Sequence, residues 1–290
     1  MMRGLVVALT VARSSAACVD ANSAEHLSMA IDAAIMELQG QKGWFHELRA
    51  SSGYPDAMSV YSCTPDADKW EYPSEADAKG VLARVLRTGT LRVAGVQWAN
   101  GGAADYKTDP LNPSGFWPKY MDAIVSTMAA HYAKPISLER VYYVNSALVV
   151  DAVAQAEDVD MSEPYYYLSG FHGNTPRIES LAFSCVTAGL ASSFFTPKGS
   201  GVTSVDELYT RLAGGPNRAV GFIGQGNYDA VSAMLPESVS PTYVTNSSDM
   251  VANVLSGALV AGYVSEGTPP SPELFDTFET GIVSPRGASA

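Results

Sequence analysis

The sequence has few charged residues, three cysteines and no long apolar run. Only 17% of its 290 residues are charged and 47% are hydrophobic, which excludes a largely disordered chain because such chains are polar and highly charged. Basic residues are scarce: 18 Lys and Arg stand against 30 Asp and Glu, a net charge of −12. A chain this acidic repels phosphate backbones, so we do not expect nucleic acid as a partner. The length suits one large domain or two lobes that share a cleft.

Cysteine and histidine are too sparse and too scattered to form a metal site. Cys18, Cys63 and Cys185 show no CxxC spacing of the kind that binds zinc, and the four histidines are dispersed. We therefore predict neither a metal nor a cofactor. The thiols are either buried or free. If the chain is exported, one disulfide is expected, with Cys18 and Cys63 as the favoured pair and one thiol left over.

The absence of a long apolar run predicts that the chain does not span a membrane. Its N-terminus has two interpretations. A charged start at 1–3 and an apolar run at 4–12 resemble a signal peptide. The branched residues at 5–11 equally fit a buried strand. Residues 1–21 are therefore either a signal peptide or a displaced strand.

Hydrophobic periodicity predicts single helices alternating with short strands. This alternation indicates an α/β fold with parallel sheets, in which ligands bind beyond the carboxyl ends of the strands. The predicted helices cover 22–39, 44–49, 74–87, 117–132, 146–156, 204–212, 228–235 and 248–256, and the predicted strands cover 91–96, 158–161, 219–223, 243–244 and 259–264.

Six short motifs stand in order over residues 84–266. They are Arg-Val-Leu-Arg-Thr-Gly-Thr-Leu-Arg-Val-Ala-Gly-Val at 84–96, Gly-Phe at 115–116, Asp-Val-Asp at 158–160, Thr-Pro-Arg at 175–177 with Leu-Ala-Phe-Ser at 181–184, Val-Asp-Glu-Leu at 205–208 leading to Val-Gly-Phe-Ile-Gly-Gln-Gly-Asn at 220–227, and Leu-Ser-Gly at 255–257 leading to Val-Ser-Glu at 264–266. Together they resemble the solute-binding proteins of family 3, the polar amino-acid type with a type II periplasmic-binding-protein-like domain.

The resemblance implies an α/β fold of two lobes, each a mixed sheet flanked by helices, with the ligand cleft between the lobes. Residues 22–73 would be a helical segment and connector that packs on lobe 1. Lobe 1 would span 74–189, lobe 2 would span 190–267, and 268–290 would return to lobe 1. The family ends in helices that this chain lacks at its C-terminus, while 22–73 contains similar helices. We therefore expect a circular permutation or a piece cut from a tandem array.

The resemblance also implies a ligand-binding set. Arg177 follows the Thr-Pro turn where the family binds a carboxylate, and a guanidinium offers two parallel donors and stays charged when buried. Ser169, Gly170 and His172 lie in the turn where the family places hydroxyl and amide contacts. Asn227 either opens a helix whose free N–H groups suit an anion or is a plain helix cap.

Two further positions bear on the ligand. Family members that bind α-amino acids carry Asp where this chain has Ser265. The next residue, Glu266, would have to contact the ammonium, although a shift by one residue turns a strand side chain to the other face. Trp98, just past a strand end, is the best candidate for stacking on an apolar ring or a quaternary ammonium. Packing inside the lobes is the other interpretation of the aromatic residues near the cleft.

The favoured function is binding of a small polar solute that carries a carboxylate, amino-acid-like or betaine-like, by a solute receptor or transport-associated protein. Its location would be extracellular or periplasmic, and its partner a membrane permease or receptor. The alternative is an enzyme on the same fold similar to a cyclohexadienyl dehydratase, since 105–107 and Glu266 resemble parts of such enzymes. A third hypothesis is that the chain is a structural domain of a tandem array and binds no ligand. Turnover of a cyclohexadienyl acid would distinguish the enzyme from a receptor.

Overall fold

The computed structural model describes residues 23–54, 57–59, 63, 71–100, 102–156, 158–167, 171–172, 175–176, 181–265 and 271–289. The helices in chain order are α1 (Glu25–Gly40), α2 (Trp44–Ser52), α3 (Gly80–Thr88), α4 (Phe116–His131), α5 (Ser146–Gln155), α6 (Val205–Gly214), α7 (Gln225–Val231) and α8 (Ser247–Leu255). The strands are β1 (Ala57–Met58), β2 (Thr90–Val96), β3 (Ala99–Asn100), β4 (Ala104–Asp105), β5 (Ser137–Tyr143), β6 (Met161–Ser162), β7 (Tyr166–Tyr167), β8 (Phe171–His172), β9 (Thr175–Pro176), β10 (Ala188–Pro197), β11 (Ala219–Phe222), β12 (Ser240–Tyr243), β13 (Ala261–Val264) and β14 (Phe275–Gly287).

The first lobe is built on a parallel sheet of strand order β5-β2-β6. Helix α1 packs against α3 and α4, and α5 packs against the sheet. Leu27, Ile31, Ile35 and Leu38 lie on one face of α1, and all four are buried in this core. The first helix of the described chain thus contributes its whole apolar face to the core of the first lobe.

The second lobe is built on the longer sheet, of order β12-β11-β13-β10-β14-β7, with β1 beside β10. It comprises β11 to β13, α6 to α8 and the parts of β10 and β14 that pair nearby. Successive strand side chains point to opposite faces of a sheet. Phe194 accordingly packs with Phe222 and Tyr263 in one cluster, whereas Phe195 packs with Met250 in another. Apolar side chains therefore cover both faces of this sheet.

Strand β10 carries the chain from the first lobe into the second. Its beginning pairs with β1 and the end of β14, and Leu190 belongs to the first core. Further along, Ser193, Phe194 and Phe195 pair antiparallel with β13. Strand β13 therefore runs back toward the first lobe, as do β11 and β12, because β11 is parallel to both β12 and β13. The carboxyl ends of these three strands face the first lobe.

The strands of the first lobe point toward the second. Strand β14 returns the chain to the first lobe, where Arg286 and Gly287 pair antiparallel with β7 and the amide of Ser289 donates to the hydroxyl of Ser162 in β6. From Ser162 to Tyr167 the partners run backwards along the chain, from Ser289 through Gly287 to Arg286, so β6 and β7 both run toward the second lobe. Strand β2 runs the same way, because it is parallel to β6 and to β5. The carboxyl ends of six parallel strands, three in each lobe, thus face one another.

The pairing of the two crossing strands, β10 and β14, is irregular between the lobes. Between the pairs Ala191–Val283 and Ser193–Glu279, one residue of β10 stands opposite three residues of β14. The buried hydroxyl oxygens of Ser192 and Thr280 lie 2.6 Å apart at this irregularity. A bulge bends a strand and interrupts its hydrogen-bond ladder. Here the side chains of Ser192 and Thr280 join the two strands where the backbone ladder is interrupted.

A disulfide and helix α1 fix the start of β10. Cys63 is bonded to Cys185, and their Cα atoms are 5.6 Å apart. Asp32 Oδ1 accepts a hydrogen bond from the amide of Cys185 at 2.6 Å. Gln39 Nε2 donates to the carbonyl oxygen of Val186 at 2.9 Å. Two side chains of α1 and one covalent bond therefore hold the segment that enters the crossing strand.

The disulfide corrects the predicted pairing. Cys63 bonds Cys185, so the expected Cys18–Cys63 pair is wrong, and Cys18 lies outside the described residues. The two bonded cysteines are 122 residues apart in sequence. Only the packing of the connector against the start of β10 brings them within bonding distance, and sequence spacing does not report such packing.

The helix predicted at 74–87 is shorter in the structure. The Ser74 hydroxyl and Asp77 close a turn, and α3 begins only at Gly80. Gly80 has φ +55°, and a Cβ atom there would collide with the carbonyl oxygen of Ser23. Glycine alone permits this backbone angle together with this close approach, so Gly80 sets the start of α3.

Other elements of the structure also differ from the predictions. Strand β5 is absent from the predictions; its side chains are only partly buried or exposed, and it lies at the sheet edge, so its periodicity is weak. The strand predicted at 158–161 is observed later, at Met161–Ser162. The helix predicted at 228–235 begins earlier, at Gln225, because Gly224 with φ +86° caps it.

Asp32 gives a testable pH dependence of stability. Burial raises the pKa of Asp32 from 3.8 to about 6, against the opposing hydrogen bond from Cys185. The folded state therefore binds this proton more tightly than the unfolded state, and stability is lost as the pH rises from about 4 through 6. Asp32→Asn keeps an acceptor oxygen without the charge, so the variant should gain about 1–2 kcal/mol above pH 6.

Urea denaturation at two pH values checks this expectation. The gain should be present at about pH 7.5 and absent below about pH 4, where Asp32 is protonated in both states. Glu237→Gln, in an exposed turn, serves as the matched control. A gain that is equal at both pH values would contradict the assignment to Asp32 ionisation.

Candidate functional site

Trp98 lies just beyond the carboxyl end of β2, on a base of aromatic rings. Its ring centroid is 5.4 Å from that of Tyr165, edge to face, and 5.8 Å from that of Tyr106. The amide of Tyr106 donates to the carbonyl oxygen of Trp98 at 2.9 Å, and the amide of Val96 donates to the Tyr165 hydroxyl at 3.0 Å. Trp98 remains partly exposed. Both its backbone and its ring are therefore fixed at the strand end.

Beneath this base lies a buried ion pair that the sequence analysis does not foresee. Glu163, directly after β6, is fully buried, and its Oε1 accepts from Arg140 Nε at 2.7 Å. Arg140 Nη2 also donates to Asp122 Oδ1 at 2.9 Å. Burial raises the pKa of Glu163, while Arg140 and the Tyr106 hydroxyl act in the opposite direction. The charge of Glu163 is thus compensated inside the protein.

A loop tied to β5 borders the same edge. The hydroxyl of Tyr142 donates to the carbonyl oxygen of Pro110 at 2.9 Å. Asp105 accepts from the amide of Thr108 at 2.8 Å, and Asp109 accepts from two amides of its own turn. Hydrogen bonds from the side chain and amide of Thr108 lower the pKa of Asp105. Residues 105–107 resemble part of dehydratase enzymes. In this chain the carboxylate of Asp105 holds the backbone of its own loop.

In the second lobe the facing edge includes the segment between β11 and α7. Asn227 Nδ2 donates to the carbonyl oxygen of Ile223 at 2.7 Å, and the amide of Asn227 donates to the carbonyl oxygen of Gly224 at 3.3 Å. The helix is capped by Gly224 and begins at Gln225, so Asn227 neither opens the helix nor caps it, and both predictions of its place in the helix are wrong. Asn227 and Trp98 follow strands whose carboxyl ends face each other across the two lobes.

The end of β13 meets a buried arginine of β14. Ser265 is buried, and its carbonyl oxygen accepts from Arg286 Nη2 at 3.4 Å. The side chain of Arg286 is fully buried. The backbone carbonyl oxygen of Arg286 accepts a hydrogen bond from the amide of Thr187 at 2.9 Å. These contacts join the last strand of the second lobe to both crossing segments.

The remaining predicted contact residues fall mainly outside the described part of the chain. This applies to Ser169, Gly170, Arg177 and Glu266. The backbone of His172 belongs to β8, which pairs antiparallel with β9. Their roles in ligand binding stay predictions, as do those of Trp98 and Asn227.

The described residues also bear on metal binding and on membrane insertion. Within those ranges, no group of three or more His, Cys, Asp or Glu side chains is arranged to hold a metal ion. None of the helices observed there is both long and apolar enough to cross a membrane.

Comparison with known proteins identifies the fold. No model of a protein family and no curated protein matches the sequence. Among solved structures, PfVFT1 of Plasmodium falciparum is 20% identical with a TM-score of 0.66, over 94% of this chain and 97% of that one. A binding component of an ABC transporter from Wolinella succinogenes, complexed with lysine, is 15% identical with a TM-score of 0.52, over 70% and 82% of the two chains. The periplasmic VFT2 domain of Bordetella pertussis BvgS is 12% identical with a TM-score of 0.51, over 71% and 82%.

At these identities the similarity concerns the fold. The predicted fold class is confirmed: the chain has two sheets flanked by helices, and its structural neighbours are two-lobed proteins. The protein therefore has the two-lobed α/β fold of type II periplasmic binding proteins, also called Venus flytrap domains.

Proposed function

We propose that the chain binds a small solute bearing a carboxylate in the cleft between its lobes, as a receptor or transport-associated protein and without turnover. One observation carries this proposal: six parallel strands point their carboxyl ends at one another across the two lobes. In parallel sheets, ligands bind beyond the carboxyl ends of the strands. A ligand between these edges would contact both lobes at once.

The crossing strands support a binding protein that closes on its ligand. Strands β10 and β14 are antiparallel partners on both sides of their bulge. A bend at the bulge would change the angle between the lobes while leaving each core intact. Ligand contacts shared by both lobes would then favour the closed arrangement.

Arg177 is the proposed anchor for the carboxylate of the ligand. It directly follows β9 (Thr175–Pro176), and the resemblance assigns it this role. The structural neighbour from Wolinella succinogenes is complexed with lysine, which supports an amino-acid-like ligand. Ser169, Gly170, His172, Asn227 and Glu266 would supply the further contacts.

The disulfide supports an oxidising location. Structural disulfides persist in extracellular and periplasmic compartments and are rare in the cytosol, and Cys63 and Cys185 form one here. The neighbouring domain of BvgS is periplasmic. We therefore propose an extracellular or periplasmic-like location, with a membrane permease or receptor as partner.

We also retain the proposed organisation of the chain. Lobe 1 would span 74–189 and lobe 2 would span 190–267, with 268–290 returning to lobe 1. The packing of α1 against α3 and α4 supports the assignment of residues 22–73 to lobe 1. It is also compatible with a circular permutation, which stays a proposal.

Arg177→Ala tests the proposed anchor. A thermal-shift screen over amino acids, betaines and organic acids first identifies a ligand, since a ligand at a hundred times its Kd stabilises by about 2.7 kcal/mol. Calorimetry should then show that Arg177→Ala weakens binding by about 2–4 kcal/mol, because a buried carboxylate loses its partner. Arg177→Lys should also weaken binding, since a single ammonium cannot replace the guanidinium fork.

Arg211→Ala is the matched control, because Arg211 lies exposed on α6. It removes the same charge and should leave the affinity unchanged. Equal affinities for the Arg177→Ala variant and the native chain would remove Arg177 from the site.

Trp98 gives an independent test. Trp98→Ala should weaken ligand binding about tenfold, or about 1.4 kcal/mol, because it removes the exposed ring at the strand end. Trp98→Phe keeps a ring on Tyr165 and Tyr106 and should retain most of the affinity. Calorimetry on both variants checks this. An equal loss of affinity in the two variants would contradict this expectation. It would indicate that the structure of this edge needs the indole and that another aromatic ring cannot replace it.

A further inference from the structure

The facing edge of the first lobe carries exposed apolar side chains. Val144, directly after β5, is 85% exposed, and Leu111 is 87% exposed. Leu111 follows Pro110, whose carbonyl oxygen accepts from the hydroxyl of Tyr142 near the end of β5. Both apolar residues are therefore attached to the carboxyl end of the same strand. They form what we call the first apolar rim.

The facing edge of the second lobe repeats this arrangement. Ile223 directly follows β11 and is 40% exposed, and Tyr243, the last residue of β12, is 46% exposed. Strands β11 and β12 are hydrogen-bonded neighbours, and Phe222 pairs with Tyr243. Ile223 and Tyr243 are therefore close in space and form the second apolar rim.

The two rims are significant because the strands that carry them point toward each other. A single exposed leucine or valine is ordinary on a protein surface. Here, however, the exposed apolar residues follow parallel strands of both lobes, and those strand ends point at each other. Apolar surface that is collected at a binding edge marks an interaction site.

Few ionisable residues directly follow these strands. Two positions follow each of the six parallel strands, and among those that the structure describes only Glu163 is ionisable; Glu266, after β13, lies outside the described residues. Glu163 is fully buried and bonded to Arg140. The nearby carboxylates Asp105 and Asp109 keep their charge and accept hydrogen bonds from amides of their own loops. The rim side chains themselves carry no charge.

We propose that the ligand presents an uncharged apolar group, an aromatic ring or a branched alkyl chain, to the two rims. This inference rests on the proposed function and names its ligand class: a small carboxylic acid with an apolar side chain, such as phenylalanine or leucine. Val144 and Ile223 contact this group from opposite lobes, and Trp98 covers one side of it. Lysine and arginine are disfavoured at the rims, because a cation packed against Val144 and Ile223 loses hydration and these side chains offer it no acceptor.

Substitution of one rim residue by a carboxylate tests the ligand class. Phenylalanine, leucine, lysine and arginine are measured by calorimetry against the native chain, Val144→Asp and Ile223→Asp. We expect phenylalanine or leucine to bind the native chain at least tenfold more tightly than lysine or arginine. Each variant should lose about tenfold for the apolar ligands, and its preference should shift toward the cationic ones.

Leu274→Asp is the matched control. Leu274 is 50% exposed, next to the start of β14, where Phe275 pairs with Pro197 at the end of β10 farthest from the first lobe. The substitution adds the same charge at similar exposure and should leave all four affinities unchanged. Equal melting temperatures of the three variants and the native chain would exclude unfolding as the cause.

The outcomes separate this inference from the proposed function. Tightest binding of lysine or arginine, unaffected by Val144→Asp, would overturn the apolar ligand class and leave the solute-binding function standing. If none of these amino acids, betaines or organic acids shifts the melting temperature, both the apolar ligand class and the solute-binding function are overturned. If X-ray scattering showed a compact unliganded chain that Val144→Asp opens, the rims would contact each other directly, which would also overturn the inference.

Discussion

The antiparallel pairing of β10 with β14 is the constraint on which the rest of the structure depends. Strand β13 pairs antiparallel with β10, and β7 pairs antiparallel with β14, so each runs from its own lobe toward the other. Strands β11 and β12 run the same way as β13, and β2 and β5 the same way as β6, because these pairs are parallel. The facing strand ends result from these pairings together with the two crossing strands. The side chains that follow each strand set the character of that cleft.

A pair of crossing strands can transmit bending only if its ends are held firmly. In the first lobe, Cys63 and α1 hold the start of β10 through a disulfide and two hydrogen bonds. The end of β14 is held nearby, because the amide of Ala288 donates to the hydroxyl of Ser184 and the amide of Ser289 to that of Ser162. At the bulge between the lobes the backbone ladder is interrupted, and the side chains of Ser192 and Thr280 join the two strands there. In the proposed closing motion, firmly held ends and an interrupted ladder would concentrate bending at this level of the chain.

The sequence predicts elements whose signal is local. Helix α4 and strand β2 are observed close to their predicted bounds, and so is α6, which Ser204 caps by accepting from the amide of Glu207. Elements that depend on distant residues are not predictable in this way. Gly80 breaks a helical pattern because Ser23 lies against it. Strand β5 has no buried face to mark it, and the disulfide follows from packing between segments far apart in sequence.

The candidate site likewise combines features that the sequence predicts with features that depend on tertiary contacts. The aromatic character of Trp98 and its place after a strand are visible in the sequence, whereas the pair of Glu163 and Arg140 beneath it is a tertiary contact. A buried carboxylate is costly unless a partner compensates it, and here Arg140 does so from the neighbouring β5. The carboxylate therefore leaves little charge to recognise a ligand. In the proposed function, recognition would involve residues that follow the strands, and the exposed side chains there are apolar at Val144 and Ile223 and polar at other positions. The sequence shows the character of each of these side chains, whereas their grouping at one edge depends on the directions in which the strands run.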